Sequence, residues 1–319
     1  MRVAFVGKGG SGKTTLSALF SRHLARSGAP VVAIDGDINQ HLAHALGLGE
    51  DESLAVPPLG ARTAEIKDYL RGSNPRIPSP DAMVKTTPAG RGSRLLRPLG
   101  DDEIHSRHVQ EVGGVPLMAT GAFGESDLGV ACYHSKLGAV ELYLNHLVDG
   151  PGEYVVVDMT AGADAFASGL FTRFDMTFLV VEPTLRSLSV YRQYRDHAAG
   201  FGVPVAVVGN KVTGEDDLAF LREHVGADLL AHCALSPFVR AQEQGRDRGE
   251  LEPHNLRTLD RLRAAVDVRQ KDWTAFQRHA VEFHLRNASA WANDATGRDL
   301  AEQVDPGFAH GPAALAALV

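Results

Sequence analysis

Near the start of the chain, Gly7-Lys8-Gly9-Gly10-Ser11-Gly12-Lys13-Thr14-Thr15 brings together the residue types that hold a phosphate group. The run fits the spacing G-x-x-x-x-G-K-[ST] of a phosphate-binding loop. Glycines let the backbone turn its N–H groups inward around phosphate oxygens. Gly7, Gly9, Gly10, Ser11, Gly12 and Thr15 are therefore expected to form the cradle. Lys13 is expected to reach the β- and γ-phosphates, and Thr14 to place its hydroxyl on Mg²⁺. Three further places carry matching chemistry. Asp35 and Asp37 stand at i and i+2 on one extended segment, so both carboxylates can face the same site. Asp158 ends the apolar run Val155-Val156-Val157, where an aspartate serves either a metal ion or the cap of a following helix. In Gly209-Asn210-Lys211, Asn210 can pair with both N6 and N7 of adenine, or be a plain turn residue. A guanine-reading N-K-x-D pattern would need an aspartate where the chain has Thr213, so ATP is the expected nucleotide.

These residues need strands that end at one place and helices that begin there. Arg2 to Val6, Val31 to Ile34, Tyr154 to Val157, Thr177 to Val181 and Val203 to Val208 are short, apolar and β-branched. Continuous apolar runs suit parallel strands covered on both faces. Gly12 to Ser27 has a helical apolar stripe through Leu16, Leu19, Phe20 and Leu24, closed by Gly28 and Pro30. The helix start near Lys13 adds a positive N-terminal end to the phosphate site. The expected fold class is α/β, a doubly wound and mostly parallel sheet of phosphate-loop NTPase type. Residues 1–250 are expected to form that domain. Residues 48–118, rich in Pro, Gly and Arg, read as a loop-rich surface insertion, or as a basic loop that docks a partner. Residues 251–319 read as a C-terminal helical extension. There, Leu259, Val266, Trp273 and Ala280 recur on one stripe, broken at Arg269, which suits an amphipathic helix or a helix pair.

The balance of 32 Lys and Arg against 39 Asp and Glu gives a net charge of −7. That is a poor basis for charge-driven nucleic-acid binding, although Arg91, Arg94 and Arg97 could form a local patch. Hydrophobic residues make up 44% of the chain, which excludes a disordered or collagenous protein. The 2 cysteines, Cys132 and Cys233, allow no disulfide framework. With no signal-peptide pattern and no membrane span, a cytoplasmic location and no membrane partner are expected. Cys233, in an apolar stretch, reads as core.

Lys8 adds a second lysine to the phosphate loop. On that residue the chain resembles the deviant-Walker-A ATPases, a group that includes the MinD/ParA positioning and partition proteins and the nitrogenase iron protein. The resemblance implies a nucleotide-dependent homodimer in which Lys8 crosses to the partner's phosphates, acting as an arginine finger does. Ile34-Asp35-Gly36-Asp37-Ile38-Asn39-Gln40 is similar to the group's first switch. By that likeness Asp37 positions or deprotonates the attacking water, and Asp35 supports Mg²⁺ or Lys13. Asp158-Met159-Thr160-Ala161-Gly162 resembles its Walker B and second switch, which implies Mg²⁺ held by Asp158 and a hinge at Gly162.

Val180 to Leu188 and the Asp-Met-Thr-Ala-Gly form look like the ATPases that insert nickel into carbon monoxide dehydrogenase. Those carry a C-x-C motif at the dimer interface. Here Val130 stands at the first cysteine position and Cys132 at the second. Cys132 and His134 with their two-fold mates would make a Cys₂His₂ set suited to Zn²⁺, with Ni²⁺ the ion the resemblance implies. The plainer reading is a small buried thiol and a helix-start histidine. The expected function is a dimeric, Mg²⁺-dependent ATPase that couples hydrolysis to maturation of a client protein or delivery of a cofactor to it. The alternatives are a ParA/MinD-type positioning ATPase and an ATP-dependent small-molecule ligase or kinase.

Overall fold

In the computed structural model, residues 1–37, 39–122, 133–160, 166, 169–246 and 249–316 are described, the side chains of 133–135 excepted. The chain begins with strand β1 (Arg2–Gly7), helix α1 (Lys13–Arg26) and strand β2 (Val31–Gly36). Short helices α2 (Leu42–Ala45), α3 (Glu50–Leu54), α4 (Thr63–Arg71) and α5 (Glu103–His108) lead to β3 (Gln110–Val112) and β4 (Val115–Ala119). Then come α6 (Tyr133–His146), β5 (Tyr154–Met159), β6 (Met176–Val181), α7 (Leu185–Ala199) and β7 (Val205–Val212). After α8 (Glu215–Val225), β8 (Leu229–Ala234) and α9 (Pro237–Glu243), the chain closes with α10 (Pro253–Asp267), α11 (Trp273–Asn287) and short turns.

The strands form one eight-stranded sheet in the order β3-β4-β2-β5-β1-β6-β7-β8. All neighbours run parallel except β3, which folds back on β4. Every residue of β1, β5 and β6 is buried, as the unbroken apolar runs require. On one face, Phe5 and Phe178 of the sheet meet Phe20 of α1 with ring centroids 5.3–6.2 Å apart, and Leu259, Leu262 and Val266 of α10 join them. On the other face, α4, α6, α7 and Phe283 of α11 cover Val155, Val157, Leu179 and Val181.

The 48–118 region differs from the loop-rich picture in the sequence. Part of 48–118 belongs to the central sheet, because β4 pairs with β2 through Ala33↔Leu117, Ile34↔Met118 and Asp35↔Ala119. The remainder buries Leu59, Ile66, Leu70, Ile77 and Leu96 in the main core. Its arginines are engaged. Arg91 holds Asp305 at 2.8 and 3.1 Å, Arg94 lies 4.4 Å over the Tyr69 ring, and Arg97 pairs with Glu153. The region after 250 is helical, as its apolar stripe suggested. It is a helix pair, with the break at Arg269 falling between α10 and α11, and both helices pack into the cores on either face of the sheet. The outer edge of β8 is sealed by α10. Asn255 accepts from the Ala234 N–H at 2.9 Å, and the Thr258 hydroxyl donates to the His232 carbonyl at 2.6 Å.

The base of β1 is fixed by a buried charge cluster. Arg2 donates to Asp149 at 2.8 Å and to the Leu144 carbonyl at 2.8 Å, with Phe276 4.5 Å from its guanidinium. Lys271, from the turn between α10 and α11, reaches both Asp149 and Asp175. Burial alone would raise the Asp149 pKa, but Arg2 and Lys271 outweigh it and hold the carboxyl far below its ordinary range. Asp149→Ala would leave two buried cations short of their counter-ion. The expected loss is about 3–5 kcal/mol of unfolding free energy, read by denaturant titration. A change within 1 kcal/mol would mean the cluster is hydrated in solution.

Candidate nucleotide and magnesium site

The site lies at the C-terminal end of the sheet, where β1 runs between β5 and β6. The loop after β1 depends on glycine at two places. A Cβ at Gly7 would lie 2.6 Å from the Val180 carbonyl oxygen. At Gly12 the backbone is left-handed, with φ +94°, and a Cβ would lie 2.2 Å from the Asn210 amide nitrogen. Asn210 explains that closeness, because its amide donates to the Ser11 carbonyl at 2.7 Å. Lys211 is left-handed too, with φ +58°. Its ammonium donates to the Gly10 carbonyl at 2.6 Å and to Glu182 at 2.7 Å. The end of β7 thus grips the outer side of the phosphate loop.

Lys13 opens α1 and is buried, ion-paired with Asp37. Burial pushes the Asp37 carboxyl up, yet the Asn39 N–H and the Lys13 ammonium outweigh it, leaving Asp37 below its ordinary value. Asp35 faces inward from the end of β2. Its carboxylate accepts from the Asp37 N–H at 3.1 Å and the Leu42 N–H at 2.8 Å, so it shapes the turn that carries Asp37. Asp158 is the register partner of Asp35 on β5. One of its oxygens accepts from the Ser17 hydroxyl at 3.3 Å, while the other is buried with no hydrogen-bond partner.

Burial first, and mutual repulsion second, raise Asp35 to about 8. Burial also raises Asp158, to about 6, against the pull of Lys13 and the Thr14 hydroxyl. A dry carboxylate oxygen beside a threonine hydroxyl is what a hard cation completes. Mg²⁺ commonly takes one or two carboxylates and fills its shell with water and phosphate oxygens. The residues present fit such an ion, with Thr14 and Asp158 as its protein side. Among the described residues, no group of three or more His, Cys, Asp or Glu could hold a metal by itself.

Lys8 is placed differently from Lys13. Its ammonium stands at the lip of the loop, 3.4 Å from the Gly9 carbonyl. Beyond Gly12, a cavity of about 340 Å³ opens between α1 and the β8–α9 turn. Thr15, Leu16, Asn210, Leu235, Ser236 and Val239 are among its walls. Its size suits a purine base, and residues 235–239 of this wall carry no motif that would reveal them in the sequence. What signals them is structural, since Ser236 caps α9 by accepting from the Val239 N–H at 3.0 Å. Cys233 also lines this cavity and is otherwise buried, with burial pushing its thiol up to about 12. Gly9 and Gly10 are exposed on the loop crest. Cys132, the His134 side chain, Ala161 and Gly162 lie outside the described residues.

The sequence profile of the CobQ/CobB/MinD/ParA nucleotide binding domain matches residues 3–281. The chain is 27% identical over 246 residues to the carbon monoxide dehydrogenase accessory protein CooC of Rhodospirillum rubrum, covering 76% of this chain and 87% of that one. An uncharacterized ATP-binding protein of Methanocaldococcus jannaschii is 28% identical over 236 residues, covering 72% and 83%. Among solved structures, a chain of the MinC:MinD cell division protein complex of Aquifex aeolicus superposes with a TM-score of 0.55 at 18% identity, covering 82% of this chain and 95% of that one. An ATP complex of Cyanothece McdA superposes with a TM-score of 0.54 at 17% identity, covering 85% and 98%. These two likenesses concern the fold. Among the described residues, no helix is long and apolar enough to cross a membrane.

The raised Asp158 carboxyl has a measurable sign. An acid whose pKa is higher folded than unfolded costs nothing when protonated in both states, and destabilises progressively as the pH rises from the unfolded value to the folded one, above which the full cost stands. In nucleotide-free protein, Asp158→Asn should therefore raise the melting temperature at pH 8. The gain should shrink as the pH falls from 6 towards 4. A gain independent of pH would assign it to packing rather than charge.

Proposed function

The chain belongs to the CobQ/CobB/MinD/ParA nucleotide-binding family, and on that premise we propose that it is an ATP-hydrolysing dimeric switch whose cycle serves a client protein. The observation that carries the reading is the contrast between its two loop lysines. Lys13 is committed inward, to Asp37, whereas Lys8 stands outward at the lip with a carbonyl of its own loop as its contact. An inward lysine serves its own nucleotide. An outward one supports a role towards a second copy brought face to face.

The chemistry starts from the Lys13–Asp37 pair. Arriving β- and γ-phosphates compete for the Lys13 ammonium, and Asp37 is freed as Lys13 turns to them. The freed carboxylate keeps its Asn39 donors at 3.0 Å, so it stays on the site and can orient a water for in-line attack. Backbone N–H groups of the loop and the start of α1 hold the phosphate oxygens. Mg²⁺ at Thr14 and Asp158 would neutralise charge on the β- and γ-oxygens. Lys8 of the second copy would supply positive charge late in the transfer. The purine would lie in the cavity walled by Asn210 and Leu235.

The client part of the reading is supported by the relative named as a carbon monoxide dehydrogenase accessory protein. Against a positioning role on DNA stand the net charge of −7 and the engagement of Arg91, Arg94 and Arg97 by neighbours in the fold. Zinc or nickel delivery rests on Cys132 and His134. Equal metal content in ATP-bound wild type and Cys132→Ser would remove it.

Two variants test the switch. Lys8→Ala should bind ATP as the wild type does, yet hydrolyse it about 10³-fold or more slowly, the scale of a lost arginine finger. Lys13→Ala should fail to bind. Light scattering should show wild type passing from monomer to dimer with ATP. Full hydrolysis by a strict monomer, or by Lys8→Ala, would refute the mechanism.

A further inference from the structure

At the loop end of the sheet, buried side-chain oxygens of Ser11, Asp158 and Thr160 have no hydrogen-bond partner. Ser11 lies in the phosphate loop itself, and a cation beside Asp158 would satisfy that carboxylate. Thr160 is left over. It follows β5 directly and is only 4% exposed.

Strand register gives its place. β5 runs parallel between β1 and β2, with Phe5↔Asp158 on one side and Gly36↔Met159 on the other. Carried one residue past β5, those registers set Thr160 level with Gly7 and Asp37, on strands about 4.8 Å apart. Thr160 thus stands between the first glycine of the phosphate loop and the carboxylate that can orient a water. Residues two apart on a strand share a face. Thr160 therefore shares that of Asp158, which accepts from Ser17 of α1.

The hydroxyl is costly there. Valine has nearly the same shape and would fill the position without burying an unpaired polar group. β5 itself uses valine at 155, 156 and 157. A buried polar group kept without a partner in the resting protein points to a partner that arrives with the substrate.

Attack on phosphorus defines that partner. A water molecule has two O–H bonds, and both need acceptors if its lone pair is to be held towards the phosphorus. Asp37 can accept one. We infer that the Thr160 hydroxyl oxygen accepts the other, which makes Thr160 a second catalytic residue on the attacking water. The assignment rests on ATP hydrolysis as the reaction of the chain. In that step the water oxygen bonds to the γ-phosphorus as the bond to the β–γ bridging oxygen breaks, and the electron pair leaves on ADP. One water proton passes to Asp37 and on to the released phosphate. Thr160 gains and loses no proton.

Thr160→Val and Thr160→Ser test this in the full chain. Thr160→Val should lower kcat about 10- to 100-fold, the scale of a misplaced nucleophile. The KM for ATP and the Mg²⁺ concentration at half-maximal rate should stay at wild-type values. Thr160→Ser should recover most of the rate. Nucleotide-free Thr160→Val should melt above wild type, because an unpaired buried hydroxyl is gone, which also reports that the variant is folded. Wild-type kcat in Thr160→Val would overturn the assignment. So would a raised Mg²⁺ requirement, which gives the hydroxyl to the metal, or a Thr160→Ser rate as low as that of Thr160→Val, which gives the loss to packing. No hydrolysis by wild type would overturn the ATPase reading itself, and this assignment with it.

Discussion

Three carboxylates and one ammonium share a site from which water is largely excluded, and that imbalance organises the C-terminal end of the sheet. Asp35, Asp37, Asp158 and Lys13 are all buried. Lys13 can neutralise one carboxylate, and it takes Asp37. Asp35 is satisfied by backbone N–H groups instead, and Asp158 keeps an oxygen with no partner. Nucleotide-free, burial holds Asp35 and Asp158 towards their protonated forms. A divalent cation would favour their ionised forms, and a phosphate chain would draw the lysine away. The two arrive together in nucleotide chemistry, so the resting arrangement is suited to the pair rather than to either alone.

Much of this was legible in the sequence because it is contiguous. The phosphate loop, the strands beginning at Arg2, Val31, Tyr154 and Thr177, and the first helix each lie in one uninterrupted pattern. Asp35 and Asp158 could be picked out because each ends an apolar run, and Asp37 because it stands two residues beyond Asp35. Strand β4 was hidden, since Val115–Ala119 is short, contains Pro116 and follows a stretch rich in Pro and Gly. Strand β8 was hidden for a related reason. His232 interrupts its apolar run, and its burial alternates as an edge strand's does. The tasks of Asn210 and Lys211 are long-range, because they bond to carbonyls of residues 10 and 11 across the sheet. No local pattern encodes such a contact.

The insertion and the C-terminal segment are best understood together. Neither has a strong periodic pattern over its whole length, and each supplies what the other lacks. Asp305 receives Arg91, Gln303 joins Ala82 and Thr87, and His284 meets Thr86 at 3.2 Å. Buried polar groups must find partners, and here the partners lie more than a hundred residues away in the chain. This is why a stretch whose composition reads as loop is nevertheless packed.

The two margins of the sheet carry a consequence of their own. On one side the sheet ends in β3, three residues long and turned antiparallel. On the other, backbone groups of β8 at His232 and Ala234 are taken by Thr258 and Asn255 of α10. A strand from another chain would find little unpaired backbone at either margin. Growth by strand addition, the usual route by which open sheets polymerise, is thus closed off. Any association between copies would fall instead to the loop surfaces, where contact can be made and broken without opening the sheet.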